Sequence, residues 1–262
     1  LKGKDTDKYF KEVEDKLLEE TDYELELKQS QWIAQQCEAI PFLRFPGYYP
    51  EYSSEKILTM DWMEGLHISE YVLAQPQDQK MNHRLGQTLW DFYMFQIHHL
   101  KKVHADPHPG NFLIDESYNL IALDFGCIKA IPDDFYHPYF ELADLKIEEN
   151  PMRFKEILYD LEILRTCDTA EEVIYFTELF GRLIKILTLP FTQKEFDFGD
   201  NVFWDEINSL SETLSSDQQL RKMNGNRGSK HFIYINRTFF GLYSLLNDLK
   251  AKVDTEAFRK YF

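Results

Sequence analysis

Cysteine is scarce in this chain. Cys37, Cys127 and Cys167 are the three in 262 residues, far apart, odd in number and without a C-x-x-C pair. Such a set excludes a disulfide framework and a zinc knuckle and points to a reducing, cytoplasmic setting. Long apolar runs are also missing. The most apolar stretch, residues 173–191, is interrupted by Glu178, Arg182 and Lys185, and spanning a bilayer takes ~18 uninterrupted apolar residues. Membrane contact is therefore at most peripheral. Basic residues are outnumbered, 29 Lys and Arg against 45 Asp and Glu, for a net charge of −16. That balance excludes nucleic acid as the main partner, because phosphate backbones need clustered cations, and it disfavours broad attachment to an anionic membrane surface. No secretory leader is visible, and there is no internal repeat. The first residue is Leu1, inside a charged helical pattern, which reads as a piece trimmed from a longer protein.

What is present suffices for a folded domain. Hydrophobic residues make up 44% of the chain, and 21 Phe and 15 Tyr forecast a core built from large rings. Residues 7–39 have a charged helical pattern, ended by Pro41, Pro46, Gly47 and Pro50. Residues 56–60 read as a short strand running into a connector, 61–65, that stops at Gly65. Leu85, Leu89, Phe92, Tyr93, Ile97 and Leu100 share one face of a helix predicted over 83–102. Two short apolar runs, 112–114 and 120–123, flank a turn without glycine and read as a hairpin. From Pro132 onward the pattern is helical. Thr169 with Glu172 forms a capping box, residues 224–229 read as a mobile loop, and a seam from Phe232 to Val253 predicts a final helix packed on the core. The order implies an α+β fold.

The chemistry concentrates in His104-Ala-Asp106-Pro-His-Pro-Gly-Asn111, followed by Asp124-Phe125-Gly126. Phosphoryl transfer asks the protein mainly for positioning, for metal ions on the phosphates and for a carboxylate at the attacking group. The pattern H-x-D-x-x-x-x-N with a downstream D-F-G supplies these. Asp106, Asn111 and Asp124 are the candidate catalytic residues, with Asn111 and Asp124 as Mg²⁺ ligands. The hairpin between the motifs would fold Asp124 back beside Asn111. Mg²⁺ is also what lets so negative a chain take ATP. Read as turn formers, the same residues would explain neither the spacing nor the second motif. His98, His99, His104 and His108 crowd the region, but adjacent helical histidines face different sides, so His104 reads as ordering the loop by hydrogen bonds.

These motifs, with Gln96 upstream and the acidic helix Glu20-Thr-Asp22-Tyr-Glu-Leu-Glu26, resemble the UbiB/ADCK (aarF-domain) family of atypical protein-kinase-like proteins. The resemblance implies a protein-kinase-like fold, mostly the helical C-lobe (61–262) with a partial N-lobe (1–60). It implies that Glu20, or else Glu26, pairs with the nucleotide-anchoring lysine, and that Asp22 belongs to the family's acidic motif. It implies that main-chain groups of Asp61 to Met63 meet adenine, with Met60 at the back of the pocket. It links the chain to ubiquinone or isoprenoid-lipid metabolism, with a lipid or lipid-pathway protein as partner, docking on the helical region after residue 130; Leu179, Phe180, Leu183, Ile184 and Leu187 could form an apolar face there, with burial in the domain the favoured use. Arg237 and its helix look like the family's closing helices.

The sequence departs from the family pattern in places. The family's Ala-rich phosphate loop, strand lysine and K-x-G-Q motif lie upstream of the acidic helix, and no counterpart stands here, so this chain alone is expected to be inactive. Lys101 stands where the family often has Gly. Two other readings share the motifs: a small-molecule phosphotransferase of the aminoglycoside or choline-kinase type, which the acidic helix disfavours, and a non-catalytic nucleotide-binding scaffold.

Overall fold

The computed structural model describes residues 22–74, 78–143, 147, 149–216 and 227–261. The first helix, α1 (Tyr23–Gln36), starts at Asp22, whose carboxylate caps the Leu25 N–H at 3.0 Å. Leu27, Ser30 and Ile33 form its buried stripe. Strand β1 (Leu43–Arg44) follows. The strand expected at 56–60 is reduced to isolated bridges, Ser54 with Ile57 and Tyr48 with Met60. The reason is local. Asp61 folds the segment onto itself, taking the Gly47 N–H at 2.9 Å and the Tyr49 hydroxyl at 2.6 Å on its carboxylate. These two bonds also hold the Asp61 carboxyl below its usual range.

Strand β2 (Leu66–His67) leads into α2 (Ile68–Ala74). Helix α3 (Gln79–Phe95) then forms the spine of the core. It begins earlier than the sequence pattern suggested, because Asp78 caps Lys80 and Met81. It also ends earlier, in a π-helical turn over Gln96–Leu100, and residue 102 already belongs to a strand. Lys101 stops the helix with φ 52°, a left-handed backbone that suits glycine.

Beyond α3 come β3 (Lys102–His104), β4 (Phe112–Ile114), β5 (Leu120–Ala122) and β6 (Ile128–Ala130). The hairpin β4–β5 forms as expected, pairing Phe112 with Ala122 and Ile114 with Leu120. Its glycine-free turn is closed by Asp115, which takes the N–H groups of Ser117 and Asn119 on Oδ1, while Tyr118 accepts φ 60°. The main sheet has the order β1-β5-β4-β2, so Leu43–Arg44 pairs in parallel with Leu120–Ile121 and joins the segment that follows α1 to the β4–β5 hairpin. A second, two-stranded sheet pairs β3 with β6, with His104 opposite Ile128.

The remainder of the described residues is helical except for a long-range antiparallel strand pair that the sequence did not reveal. Helices α4 (Asp133–Glu141), α5 (Pro151–Asp160), α6 (Ala170–Thr188), α7 (Asn201–Ser216) and α8 (Lys230–Asp248) are joined by β7 (Glu195–Asp197), which pairs with β8 (Lys252–Asp254). Val253, expected on the final helical seam, therefore lies in β8. Ile235, Phe239, Leu242 and Leu246 of that seam are buried, as core packing requires. The expected capping box of Thr169 and Glu172 starts α6. Of the loop expected at 224–229, residues 224–226 lie outside the described residues.

The core is aromatic. Trp90 sits within 6.5 Å of the rings of Phe191, Phe198 and Tyr243, and its Nε1–H bonds Thr255 O at 3.1 Å. Gly86 of α3 lets Ala251 and Leu246 come close enough that a side chain there would overlap them. Among the described residues, no helix is long and apolar enough to cross a membrane.

Candidate active site

The loop between β3 and β4 is built by hydrogen bonds that the sequence specifies residue by residue. Gln96, fully buried in the π-turn, accepts the His104 N–H on Oε1 at 3.0 Å and donates to Phe92 O at 3.2 Å. This fixes where β3 ends. The His104 ring packs 5.5 Å from that of Phe125, with Nδ1 3.5 Å from the Tyr93 hydroxyl. Burial pushes its imidazole down to about 4 against the pull of Asp124 and Asp106, so it is neutral. The expected ordering role of His104 is thus carried by packing and by its main chain. The other histidines are separated: His98 bonds the Tyr136 hydroxyl at 2.7 Å, His99 stacks on Phe95, and His108 accepts the Gly110 N–H on Nδ1.

After His104 the chain turns tightly. Ala105 N–H bonds Cys127 O at 2.8 Å, His108 N–H bonds Asp106 O at 2.7 Å, and Asn111 Nδ2 donates to Asp106 O at 2.9 Å. Asn111 therefore locks the Asp106 main chain with its amide nitrogen and keeps its amide oxygen for another partner. The Leu123 N–H donates to Asn111 O at 3.0 Å. That bond extends the β4–β5 hairpin by one rung and brings Asp124 beside Asn111. Asp124 Oδ1 accepts the Gly126 N–H at 2.8 Å. The structure thus unites Asp106, Asn111 and Asp124 on one rim.

From the opposite side, Glu26 of α1 reaches the same place. With Tyr23, Leu58, Met60, Asp124 and Gly126 it lines a cleft of about 420 Å³. Burial, then the charge of Asp124, raises the Glu26 carboxyl to about 7. Nearby, the Tyr48 hydroxyl donates to Leu123 O at 3.4 Å. Among the acidic-helix residues, then, Glu26 faces Asp124 and exposed Asp22 serves as helix cap. Glu20 lies outside the described residues. Met60 lines the cleft. Asp61 does not offer its N–H there, because it donates to Gly47 O at 2.8 Å; Met63 follows two residues on in the connector.

One contact was not legible in the sequence. Arg237 of α8 bonds Asp106, Nη2 to Oδ1, at 2.6 Å. Nothing in the spacing of residues 106 and 237 announces it.

The apolar residues at 179–187 are largely absorbed by the fold, the use favoured from the sequence. Phe180 and Ile184 are buried, and with Leu183, Leu187, Tyr139 and Phe239 they line an apolar cavity of about 200 Å³ between α4, α6 and α8, away from the carboxylates.

Comparison with known proteins gives the family and the fold. The model of the ABC1 atypical kinase-like domain matches residues 1–158. AarF domain-containing kinase 1 of Drosophila melanogaster is 32% identical over 143 residues, covering 51% of this chain and 27% of that protein. Protein ACTIVITY OF BC1 COMPLEX KINASE 8, chloroplastic, of Arabidopsis thaliana is 29% identical over 150 residues, covering 56% and 20%. The chain thus spans about a quarter of the length of these relatives. Among solved structures, the Rv3197–erythromycin complex of Mycobacterium tuberculosis superposes with a TM-score of 0.66 over 95% of this chain and 60% of that one, at 16% identity, a likeness of fold.

Proposed function

Because the chain belongs to the ABC1 atypical kinase-like family, we propose that it carries the metal–nucleotide rim and catalytic loop of an ATP-dependent phosphotransferase or ATPase. The observation that supports this best is the Leu123 N–H to Asn111 O bond, since it juxtaposes the two side chains that a phosphate-bound metal would need. Asn111 and Asp124 would hold Mg²⁺. Among the described residues no group of three or more His, Cys, Asp or Glu could hold a metal. Two oxygen donors beside an open cleft fit Mg²⁺, which commonly takes one or two protein oxygens and completes its shell with phosphate and water. The raised Glu26 carboxyl fits as well, since a cation between it and Asp124 would relieve their repulsion. When bound, Mg²⁺ supplies charge neutralisation on the phosphates.

Asp106 would orient the attacking hydroxyl and take its proton. Glu26 would pair with the cation that anchors the α- and β-phosphates, a role given to Glu20 or Glu26 from the resemblance alone. Met60 would back the base, with the main chain near Met63 at its edge. Ubiquinone or isoprenoid-lipid metabolism is the setting that the family resemblance supports, with a lipid-pathway molecule as acceptor.

Thermal unfolding of the whole protein with and without Mg²⁺-ATP, beside Asp124→Asn, tests this reading. Ligand at 100 times its Kd adds about 2.7 kcal/mol of stability. A Mg²⁺-dependent shift lost in Asp124→Asn is expected, together with ADP release. No shift in the intact protein would sink the nucleotide site, and a shift without ADP release would leave a binding scaffold.

A further inference from the structure

Transfer of a phosphoryl group gathers negative charge that cations must offset. The loop His104–Asn111 contains neither Lys nor Arg. His104 is buried, and His108 uses Nδ1 as an acceptor. The cation at this loop comes instead from α8, far away in sequence. Arg237 meets Asp106 at 2.6 Å, and the two side chains are 54% and 37% exposed, so the pair is open to solvent. One helical turn on, Gly241 faces Pro107 so closely that a side chain there would overlap it, with the Pro107 carbonyl oxygen 3.1 Å from where its Cβ would be. Residues four apart share a helix face. Gly241 therefore lets the loop seat on α8, and the same seating lets Arg237 reach Asp106. The helix is a rigid platform: Ile235, Phe239, Leu242 and Tyr243 are buried, and the Tyr243 hydroxyl bonds Leu187 O at 2.9 Å.

Resting on the phosphotransferase reading above, we propose that Arg237 is a catalytic cation that spans Asp106 and the phosphoryl group in transfer. In that step the acceptor oxygen bonds the γ-phosphorus, and the bond from phosphorus to the β,γ-bridging oxygen breaks with its electron pair leaving on ADP. The acceptor proton passes to Asp106. Arg237 keeps its protons and donates N–H bonds to a phosphoryl oxygen, for which its planar, permanently charged fork is suited.

The test is ADP release at saturating Mg²⁺-ATP by the whole protein, with Mg²⁺-ATP thermal shifts measured in parallel. Arginines that act on the transferring group are worth 10³–10⁵ in kcat, so Arg237→Ala should lower kcat by at least about 100-fold while the Mg²⁺-ATP shift stays within error. Arg237→Lys should keep part of the rate, and millimolar guanidinium should raise the rate of Arg237→Ala. Gly241→Ala, which lifts the loop and its Asp106 from α8, should lower the rate as well. An Arg237→Ala rate within threefold of wild type overturns the inference alone. So does a loss of rate accompanied by loss of the nucleotide shift, with no gain from guanidinium, since that marks a packing role. A wild type with a shift but no ADP release overturns the inference and leaves a scaffold, and a wild type with neither overturns the phosphotransferase reading as well.

Discussion

Glu26 and Asp124 face one cleft from two sides of the molecule, one from the first turn of α1 and the other from the end of the β4–β5 hairpin. Two carboxylates so placed resist being charged together. Burial and the charge of Asp124 therefore lift Glu26 to about 7, while its first-turn position on α1 would favour the anion.

A pH dependence with a definite sign follows. A carboxyl whose pKa is raised on folding binds its proton more tightly in the folded state. Its contribution to stability is complete below the ordinary carboxylate range and is lost as pH rises through about 7. Chemical denaturation in metal-chelating buffer between pH 4.5 and 8 should show wild type losing on the order of 1–3 kcal/mol relative to Glu26→Gln. Parallel curves for the two proteins would refute the coupling.

Gln96 should be intolerant of apolar replacement. Its Oε1 is the acceptor for the buried His104 N–H. Gln96→Leu would orphan that donor and cost roughly 1–3 kcal/mol, whereas Gln96→Glu, which keeps the acceptor, should retain more of the amide's protection from hydrogen exchange. Equal protection at His104 in wild type and Gln96→Leu would contradict this.

Arg227 and Asp168 form a buried pair at 2.6 Å, each side chain 3% exposed, with the guanidinium 3.9 Å over the Phe176 ring. The pair ties the start of α6 to the segment before α8. Removing one partner strands a buried charge, so Arg227→Ala should cost about 3–5 kcal/mol by urea denaturation. A loss below 1 kcal/mol would mean that water reaches Asp168.

Gly86 is a close-approach glycine in mid-helix. A methyl there meets Ala251 and Leu246, so Gly86→Ala should destabilise by about 1–3 kcal/mol despite the better helix propensity of alanine. A rise in Tm would show that the α3–β8 contact yields easily.

Much of the site could be read from the chain because its parts are local. Asp106 and Asn111 belong to one loop, and the hairpin that returns Asp124 to them is a short-range structure whose two apolar runs are visible. The turn without glycine was the weak point of that reading, and Asp115 resolves it with side-chain acceptors. The helix over 83–102 was overextended because Ile97 and Leu100 keep the helical period while the backbone changes to a π-turn. Residues 56–60 have strand composition, but Asp61 ties their neighbours into bridges first. The antiparallel β7–β8 pair joins residues about 57 apart, and two three-residue strands carry too little alternation to announce such a pairing.

What the sequence determined by itself was the family and the candidate residues of the site, because a motif is a matter of residue type and short spacing. Which acidic residue meets Asp124, and which cation meets Asp106, only the tertiary structure decided. Glu26 approaches from the N-terminal helix and Arg237 from the last one. Those distances along the chain are closed by burial of an aromatic core that favours no particular pair of polar residues until the helices are packed.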